Sequence, residues 1–562
     1  MYWIGLPQIV LESTPVVADY IMAAVESALD VRVTSSTRVF AATRLDRTTT
    51  SHSISLSIID ATVADFAPCA AVWFFDSPPS PHSAPSPSHL RSALEKTLNA
   101  YPQWCGRLHR VSYRRDGHHT QRFGRLNLTY GLESDPGVEF VVAQSPTTLS
   151  SLVPSAIERS VRFQSWNASR VPSEKFLPST PLALSKIDDA RLPGMVVQIT
   201  TFGCGGMAVA VKIAHPLADA HALVYFARDW ARASCAILAD KPMPSMSPVF
   251  NPHLLDRSAA GDIDALQPDP ALIEMARALP CHRFDWWASV DGCPFPTQAT
   301  KIPPELNPAS IGPPGTRMPW SDWDLAAPVS HYLLHFSSSE VKHVWKTASL
   351  SSAPVSRHDA LVSHIWACIN RARGLEHDEE TVHLNVSFGL RSRLSPALPD
   401  AFLGSPVMLA DVSSSGREAS MESPAAMASR IRSTLARFNS STLSAHLHDA
   451  AYEASPQRLW QAFLGRRHVI VTSWVHSHVY EVNFGTALPP QYVEAVMPST
   501  DGCVQLMEAA PVEGSEEVLG SSRDLKRLNH WCDNGVDVSI HLESMAMERL
   551  LKDPLLRKYS SG

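Results

Sequence analysis

The most regular hydrophobic pattern of the chain lies between residues 196 and 234. Two apolar runs rich in β-branched residues, one starting at Val196 and one spanning Met207–Ile213, flank a turn that contains three glycines. This pattern predicts a β-hairpin. Apolar residues then recur at helical spacing, which predicts an amphipathic helix beginning at Asp219. His215 therefore lies between the end of a strand and the start of a helix.

Three further stretches carry clear patterns. Ser356–Gly374 predicts the strongest helix, because Ser356 can cap it, an apolar stripe runs along it and Gly374 can end it. The alternating residues Ser53–Ile59 predict a strand, and Leu443–Leu464 predicts a helix. Strands and helices do not alternate regularly, which favours a mixed α/β fold without repeated βαβ units.

A long proline-rich connection interrupts these elements. It extends from residue 239 to about 330 and contains one clear helix, Pro270–Ala278. A connection of this length is unusual within one compact domain, so a domain boundary is expected there. We predict an N-terminal extension at residues 1–30, an N-terminal domain at 31–240, a crossover at 241–330 and a C-terminal domain at 331–562.

Composition narrows the class of protein. The 562 residues include 48 basic and 55 acidic side chains, a formal charge of −7, which argues against nucleic-acid binding. Nine cysteines without a CxxC pattern indicate a reducing compartment rather than a disulfide framework. The N-terminus lacks the features of a secretory leader, and no apolar run is long enough to span a bilayer. We expect a cytoplasmic monomer.

Several common catalytic motifs are absent from the sequence. There is no GxGxxG at a strand-to-helix turn, no GxxxxGK[ST] and no GxSxG. Dinucleotide-binding, P-loop and nucleophile-elbow chemistry are therefore not indicated.

The pair His215 and Asp219 is the strongest remaining candidate for chemistry. It is a weak signal alone, since a buried histidine bonded to the backbone explains it equally well. Metal binding by His215, Asp219 and His221 is a poor alternative, because residues two apart on a helix do not share a face. No metal site is expected.

Four segments around this pair resemble the BAHD acyl-CoA-dependent acyltransferases, in the order found in that family and closest to its fungal branch. They are VQITTFGCGGMAVAVKIAHPLADAHAL, SRHDALVSHIWACINRARG, NVSFGLRSRLSPALPDAFLG and VTSWVHSHVYEVNFGTALP. Two earlier segments, LSIID at 56–60 and YPQWCGRL at 101–108, also match. The resemblance covers roughly residues 31–560.

The resemblance implies two similar domains of the chloramphenicol-acetyltransferase type, with mixed sheets, flanking helices and a channel at their interface. Acyl-CoA, with acetyl-CoA expected, would enter from one side as a co-substrate, and an acceptor alcohol from the other. No bound cofactor is implied. His215 matches the family's general base. Imidazole titrates near neutral pH, so it can accept the proton of an attacking hydroxyl.

Other positions take their expected roles from the same resemblance. Asp219 matches a structural aspartate that pairs with an arginine, here Arg391, with Arg393 as the alternative. Trp474 matches a channel residue whose indole N–H can stabilise an oxyanion, although core packing explains an isolated tryptophan better. Thr472 and Ser473 match residues that line the channel and contact substrate.

The sequence departs from the family at one motif. Asn483-Phe-Gly-Thr-Ala487 stands where the family has DFGWG, so only Phe484 and Gly485 are kept as structural residues. The residue before His215 is alanine, which argues against a peptide-synthetase condensation domain with its HHxxxDG motif. We therefore expect an O-acyltransferase that transfers acetyl to a hydroxyl of a fungal specialised metabolite. The alternative is an inactive family member that acts as a binding or scaffold protein.

Overall fold

A computed structural model of the protein describes residues 29–43, 51–78, 84–115, 117–184, 191–294, 300–308, 311–350, 354–511 and 530–560. The predicted N-terminal extension lies outside these residues, except for its last two positions. Helices and strands of both large sheets are interspersed along the chain, and the predicted mixed α/β class is confirmed.

The strands are β1 (Arg32–Val39), β2 (His52–Ser55), β3 (Cys69–Phe75), β4 (Arg107–Arg110), β5 (Leu126–Tyr130), β6 (Val138–Ser145), β7 (Ser165–Asn167), β8 (Met195–Phe202), β9 (Met207–Ile213), β10 (Phe284–Asp285), β11 (Val329–Phe336), β12 (Thr381–Gly389), β13 (Val407–Ser415), β14 (Leu459–Trp460), β15 (His468–Ser473), β16 (Tyr492–Ala495), β17 (Cys503–Glu508) and β18 (Val536–Glu543).

The α-helices are α1 (Ile58–Thr62), α2 (Pro87–Thr97), α3 (Leu149–Leu152), α4 (Ser173–Phe176), α5 (Ala220–Leu238), α6 (His253–Asp256), α7 (Pro270–Arg277), α8 (Ser338–Ala348), α9 (Arg357–Ala372), α10 (Gly416–Met421), α11 (Pro424–Ala436), α12 (Ser440–Tyr452) and α13 (Ser544–Lys552). None of these helices is both long and apolar enough to cross a membrane.

Two large mixed sheets organise the fold. One has the strand order β1-β6-β8-β9-β3-β16, and the other has the order β13-β12-β15-β17-β18-β11-β7. The predicted hairpin is β8 and β9, which pair antiparallel from Met195↔Ile213 to Thr201↔Met207. Within the described part of the chain, each large sheet has its own extensive buried apolar cluster.

The two sheets exchange edge strands. β16, from the C-terminal part of the chain, pairs antiparallel with β3 at the edge of the N-terminal sheet. β7, from the N-terminal part, pairs antiparallel with β11 at the edge of the C-terminal sheet. Neither sheet is therefore formed by one continuous stretch of sequence, and the boundaries at residues 240 and 330 stay predictions.

Two predicted elements differ from those in the structure. The strand predicted at Ser53–Ile59 ends at Ser55, because Ser57 caps α1 and Asp60 completes a capping box. This local hydrogen bonding outweighs the alternating pattern. The helix predicted over Leu443–Leu464 ends at Tyr452, and the chain continues to the short strand β14.

Candidate active site

His215 begins a short 3₁₀ helix, His215–Leu217, directly after the buried strand β9. Pro216 provides the fixed φ of the first helical turn and stops the strand. α5 then begins with Asp219 as its N-cap, whose side chain accepts a hydrogen bond from the Ala222 amide at 2.9 Å. The imidazole is therefore held between two regular elements.

One ring nitrogen of His215 contacts a residue that is distant in sequence. Nδ1 lies 2.8 Å from Ser405 Oγ, on the connection between β12 and β13. The backbone N–H of Ser405 donates to Asp60 Oδ1 at 2.7 Å, and Ser57 Oγ donates to Asp60 Oδ2 at 2.6 Å. A hydrogen-bonded chain thus joins His215 to the N-terminus of α1.

Burial shifts the pKa of both ends of this chain. It lowers the pKa of His215 below its usual value, against the opposing influence of Asp219 and of the histidine's own backbone carbonyl. The imidazole is therefore neutral at pH 7, as a general base requires. Burial raises the pKa of Asp60 to about 7, although the hydrogen bonds from Ser57 and Ser405 oppose the shift.

Asp219 forms a bidentate ion pair with Arg391. Arg391 Nη1 donates to Asp219 Oδ2 at 2.5 Å, and Nη2 donates to Oδ1 at 2.9 Å. Burial alone would raise the pKa of Asp219, but the charge and hydrogen bonds of Arg391 lower it below its usual range. The carboxylate is thus occupied by an arginine and a helix N-terminus. Arg393 instead donates to the carbonyls of Leu435 and Phe438.

Thr472, Ser473 and Trp474 lie at the end of β15, where Thr472 and Ser473 are half-buried and Trp474 is buried. The Trp474 amide donates to the Leu506 carbonyl at 2.8 Å. The side-chain amide of Gln505 forms two hydrogen bonds when its nitrogen faces the Ala495 carbonyl. In that orientation Gln505 Oε1 accepts from Trp474 Nε1 at 3.3 Å. This is long for an N–H···O bond, so the indole N–H is weakly held.

Phe484 and Gly485 lie at the other end of α5. The Phe484 ring packs against Trp230, with 4.8 Å between ring centroids, and its carbonyl accepts from Ser234 Oγ at 2.5 Å. Gly485 has φ +100°, which favours glycine. Asn483 Oδ1 accepts from the amides of Gly485 and Thr486 at 2.8 and 2.9 Å. This loop is held by its own hydrogen bonds.

A basic cavity of about 540 Å³ lies at the N-terminus of α9. Its charged and aromatic lining residues are Trp345, Arg357, His358, Asp359, Phe388, Arg393, Arg432, His476, His530 and Trp531. Arg432 pairs with Asp359, whereas Arg357 lies over the Trp345 ring and donates to Cys532 Sγ. His476 follows Trp474 by two positions, which connects this cavity to the end of β15.

A smaller cavity of about 60 Å³ lies beside Phe66, whose ring meets the His215 ring edge-on at a centroid distance of 5.7 Å. Arg283, Asp449 and Glu453 contribute charged groups to its wall. Arg283 pairs with Asp449 at 2.8 Å, and Arg458 pairs with Glu453 at 3.1 Å. The charges of this wall are therefore largely neutralised.

The structure brings His215, Asp219 and Arg391 together, whereas Phe484 and Gly485 lie at the far end of α5. Sequence reasoning missed Ser405, Asp60 and Phe66. Ser405 and Asp60 are 190 and 155 positions from His215, so no spacing signal linked them. Asp60 lies within the LSIID segment that carried the family resemblance, and Ser405 directly follows the third segment, which was the available clue.

Comparison with known proteins identifies the family. The Transferase family profile matches residues 29–277 and 326–521. Acyltransferase AFT15-1 of Alternaria alternata is 29% identical over 502 residues, which cover 86% of this chain and 90% of that protein. Acyltransferase abl6 of Leptosphaeria maculans is 26% identical over 510 residues, covering 89% and 93%.

The fold has a counterpart among solved structures. TRI101 of F. sporotrichioides, in complex with coenzyme A and T-2, superposes with a TM-score of 0.58 at 16% identity, covering 90% of this chain and 99% of that one. This likeness shows a shared fold, including its two-domain architecture. The chain belongs to the Transferase family, the BAHD acyltransferases that its motifs resemble, and it is an acyltransferase.

Proposed function

We propose that the protein transfers an acyl group, expected to be acetyl, from acyl-CoA to a hydroxyl of a fungal specialised metabolite. The observation that carries this proposal is His215, a neutral imidazole whose Nδ1 is engaged by Ser405 beside a cavity-lining phenylalanine. The fungal acyltransferase relatives and the coenzyme A in the TRI101 complex support the donor class.

His215 acts as the general base through Nε2. In the tautomer that this role requires, Nδ1–H donates to Ser405 Oγ and the lone pair is on Nε2. Nε2 accepts the hydroxyl proton as the acceptor oxygen attacks the thioester carbonyl. The C–S bond then breaks, and the imidazolium returns the proton to the sulfur, giving free CoA and the ester. No covalent acyl-enzyme is needed.

The tetrahedral intermediate carries a negative oxygen, and Trp474 is the donor that we assign to it. Among the described residues its indole N–H has only the long contact to Gln505, which leaves it available to a stronger acceptor. Thr472 and Ser473 are half-buried at the end of the same strand, and we assign them to contacts with substrate. Trp474→Phe removes the N–H but keeps much of the ring packing. If Trp474→Phe lowered kcat by less than tenfold, the indole N–H would not be the oxyanion donor, and the role of Trp474 would be packing.

The basic cavity at the N-terminus of α9 is the proposed site for the phosphates of CoA. A helix N-terminus and arginines both stabilise anionic phosphate groups. Arg357 is the arginine best placed to bind them, because it is not tied up by a carboxylate among the described residues. Trp531 offers an aromatic face to the adenine ring.

The smaller cavity beside Phe66 is the proposed acceptor side. An amine acceptor would need an unpaired carboxylate, but Asp449 and Glu453 are already paired with arginines. A neutral alcohol suits this wall better than a cationic amine, because burying an unpaired ammonium group is costly. This favours O-acylation over N-acylation.

Acyl transfer with the purified protein tests the proposal. Acetyl-CoA is mixed with panels of alcohols and amines, and free thiol and product mass are measured. His215→Ala is expected to lower kcat by roughly 10²–10⁴-fold while CoA still binds. Retention of turnover within tenfold would refute the base assignment.

Calorimetry separates the enzyme from an inactive scaffold. The wild type is expected to bind CoA, and Arg357→Ala to weaken it by about tenfold or more. Arg417→Ala is the matched control, since Arg417 forms an exposed pair with Glu379. A folded protein that binds no CoA would favour the scaffold alternative.

A further inference from the structure

Two histidines and an aspartate converge at one end of the C-terminal sheet. His282 comes from the crossover connection, His383 from β12 and Asp411 from β13. His282 Nε2 lies 3.2 Å from Asp411 Oδ1, and His383 Nδ1 lies 3.0 Å from the same oxygen. The three donor atoms all lie within 4.8 Å of one another.

The two nitrogen–oxygen distances, 3.2 and 3.0 Å, match those between ligands of one small cation. Zinc lies ~2.0–2.2 Å from imidazole nitrogen and carboxylate oxygen, so its tetrahedral ligand atoms are ~3.3 Å apart. His282 Nε2 is buried and has no hydrogen-bond partner among the described residues, although the Asp411 oxygen is near. A nitrogen that lies beside a carboxylate oxygen without bonding to it is arranged like a second ligand of a shared ion.

The surroundings are suited to a site with one open position. The side chains of His282, His383 and Asp411 are 12%, 21% and 15% exposed, so solvent reaches the cluster. Among the described residues, the Asp411 carboxylate has no arginine or lysine partner, which leaves its oxygens to the two imidazoles.

A third imidazole lies beside the cluster. The rings of His383 and His468 stack with 4.7 Å between their centroids. His468 is buried, and its Nδ1 has no hydrogen-bond partner within the described part of the chain. An unsatisfied buried nitrogen is costly, so its placement beside the other two rings calls for an explanation.

We propose that His282, His383 and Asp411 bind a divalent transition metal, with Zn²⁺ the best match. Two imidazole nitrogens and one carboxylate oxygen are a common ligand set for this ion, and water fills the fourth position. The Asp411 amide already donates to the Pro280 carbonyl at 2.7 Å. The metal would thus fasten the crossover connection to the sheet, in the wall of the cavity beside Phe66.

Two other clusters of possible ligands are less suited. In the cluster of His118, His119 and Asp264, His118 is 53% exposed and Asp264 Oδ1 accepts the His119 amide at 2.6 Å. His530, Cys532 and Asp533 lie within four positions of one turn, and Asp533 accepts the His530 amide. In both clusters, the carboxylate already accepts a hydrogen bond from a backbone amide. These clusters provide matched controls.

Metal content and affinity test the proposal directly. The full-length protein, with any purification tag removed, is equilibrated with Zn²⁺, desalted and analysed for metal, and Zn²⁺ affinity is measured against a chromogenic chelator. We expect one Zn²⁺ per chain. His282→Gln, His383→Gln and Asp411→Asn should each weaken binding by at least ~100-fold. Co²⁺ should give the visible absorption bands of a tetrahedral site in the wild type and in none of these three variants.

The controls are His118→Gln and His530→Gln, which should bind Zn²⁺ like the wild type. Circular dichroism checks that each variant is folded. His282→Gln is the variant least expected to disturb the sheet, because His282 lies on the crossover connection and not in a strand of the sheet. Loss of Zn²⁺ in a control instead of the three cluster variants would overturn the proposal, as would stoichiometry below one in the wild type. The readouts do not use acyl transfer, so their outcome is independent of the proposed function.

Discussion

The two ends of α5 are joined to the C-terminal part of the chain in different ways. At the N-terminal end, Asp219 forms a bidentate ion pair with Arg391 next to His215. At the C-terminal end, Ser234 and Cys235 donate to the carbonyls of Phe484 and Asn483. The 19 residues between them span about 28 Å. The end beside His215 uses buried charge, and the distant end uses neutral hydrogen bonds and aromatic packing.

This difference explains how the chain can depart from the family at Asn483-Phe-Gly-Thr-Ala487. The Asn483 side chain accepts from the amides of Gly485 and Thr486, so it closes the turn without a charged partner. The Asp219–Arg391 pair has no such neutral replacement. We therefore expect substitutions at the two ends to separate effects on catalysis from effects on stability.

Arg391→Ala should give the largest effect. It leaves the buried Asp219 carboxylate without its partner, which should lower the free energy of unfolding by roughly 3–5 kcal/mol and abolish activity. Chemical denaturation measures the loss. Arg417→Ala, in the exposed pair with Glu379, should cost less than about 1 kcal/mol. If both variants lowered the free energy of unfolding equally, the buried pair would stabilise the fold no more than the exposed one.

Gly485→Ala should destabilise the opposite end without changing the chemistry. The φ of +100° and the close approach of Leu238 Cδ1 disfavour a side chain, so a cost of roughly 1–3 kcal/mol is expected, with kcat unchanged. Gly389→Ala is the matched control, since its added methyl meets nothing within 4 Å. A large drop in kcat for Gly485→Ala at a temperature where it is folded would contradict the separation.

Ser405→Ala should lower kcat by about fivefold to tenfold, the equivalent of ~1 kcal/mol for one hydrogen bond, with little change in KM. The reason is that His215 loses the contact that fixes its ring and tautomer. Ser363→Ala removes a comparable buried hydrogen bond within α9 and should leave kcat unaltered. Steady-state kinetics on both variants makes the comparison.

The smallest expected effect is on the pH profile. In the proposed mechanism the neutral imidazole is the active form, so kcat/KM should fall as pH decreases through the pKa of His215, with a midpoint below its usual 6.5. Asp219 raises this pKa, so Asp219→Asn should move the midpoint to lower pH. Gly485→Ala should leave the profile in place. A midpoint above 6.5 in the wild type would contradict the assigned environment.

The sequence predicted the elements that depend on local pattern. The hairpin before His215, the helix after Asp219 and the helix at residues 356–374 all rest on alternation, helical spacing and caps. The pairing of Asp219 with Arg391 came from family resemblance. Local pattern failed at Ser57, where a capping box outweighed the alternation of apolar residues.

Long-range contacts were beyond the reach of sequence pattern. The contact of Ser405 with His215 joins residues 190 positions apart, and the pairing of β16 with β3 joins residues about 420 positions apart. The cluster of His282, His383 and Asp411 has no recognisable spacing, because its members come from three elements. Only tertiary packing places such residues together.

The exchange of β16 has a consequence for the synthesis of the protein. β3 is buried along its whole length, yet its outer neighbour is made about 420 residues later. At usual rates of translation this interval is roughly 20–80 s. During it, the apolar strand Cys69–Phe75 presents an open edge to any other nascent chain. The edge of the N-terminal sheet at β3 therefore stays unpaired until residue 495 has been synthesised.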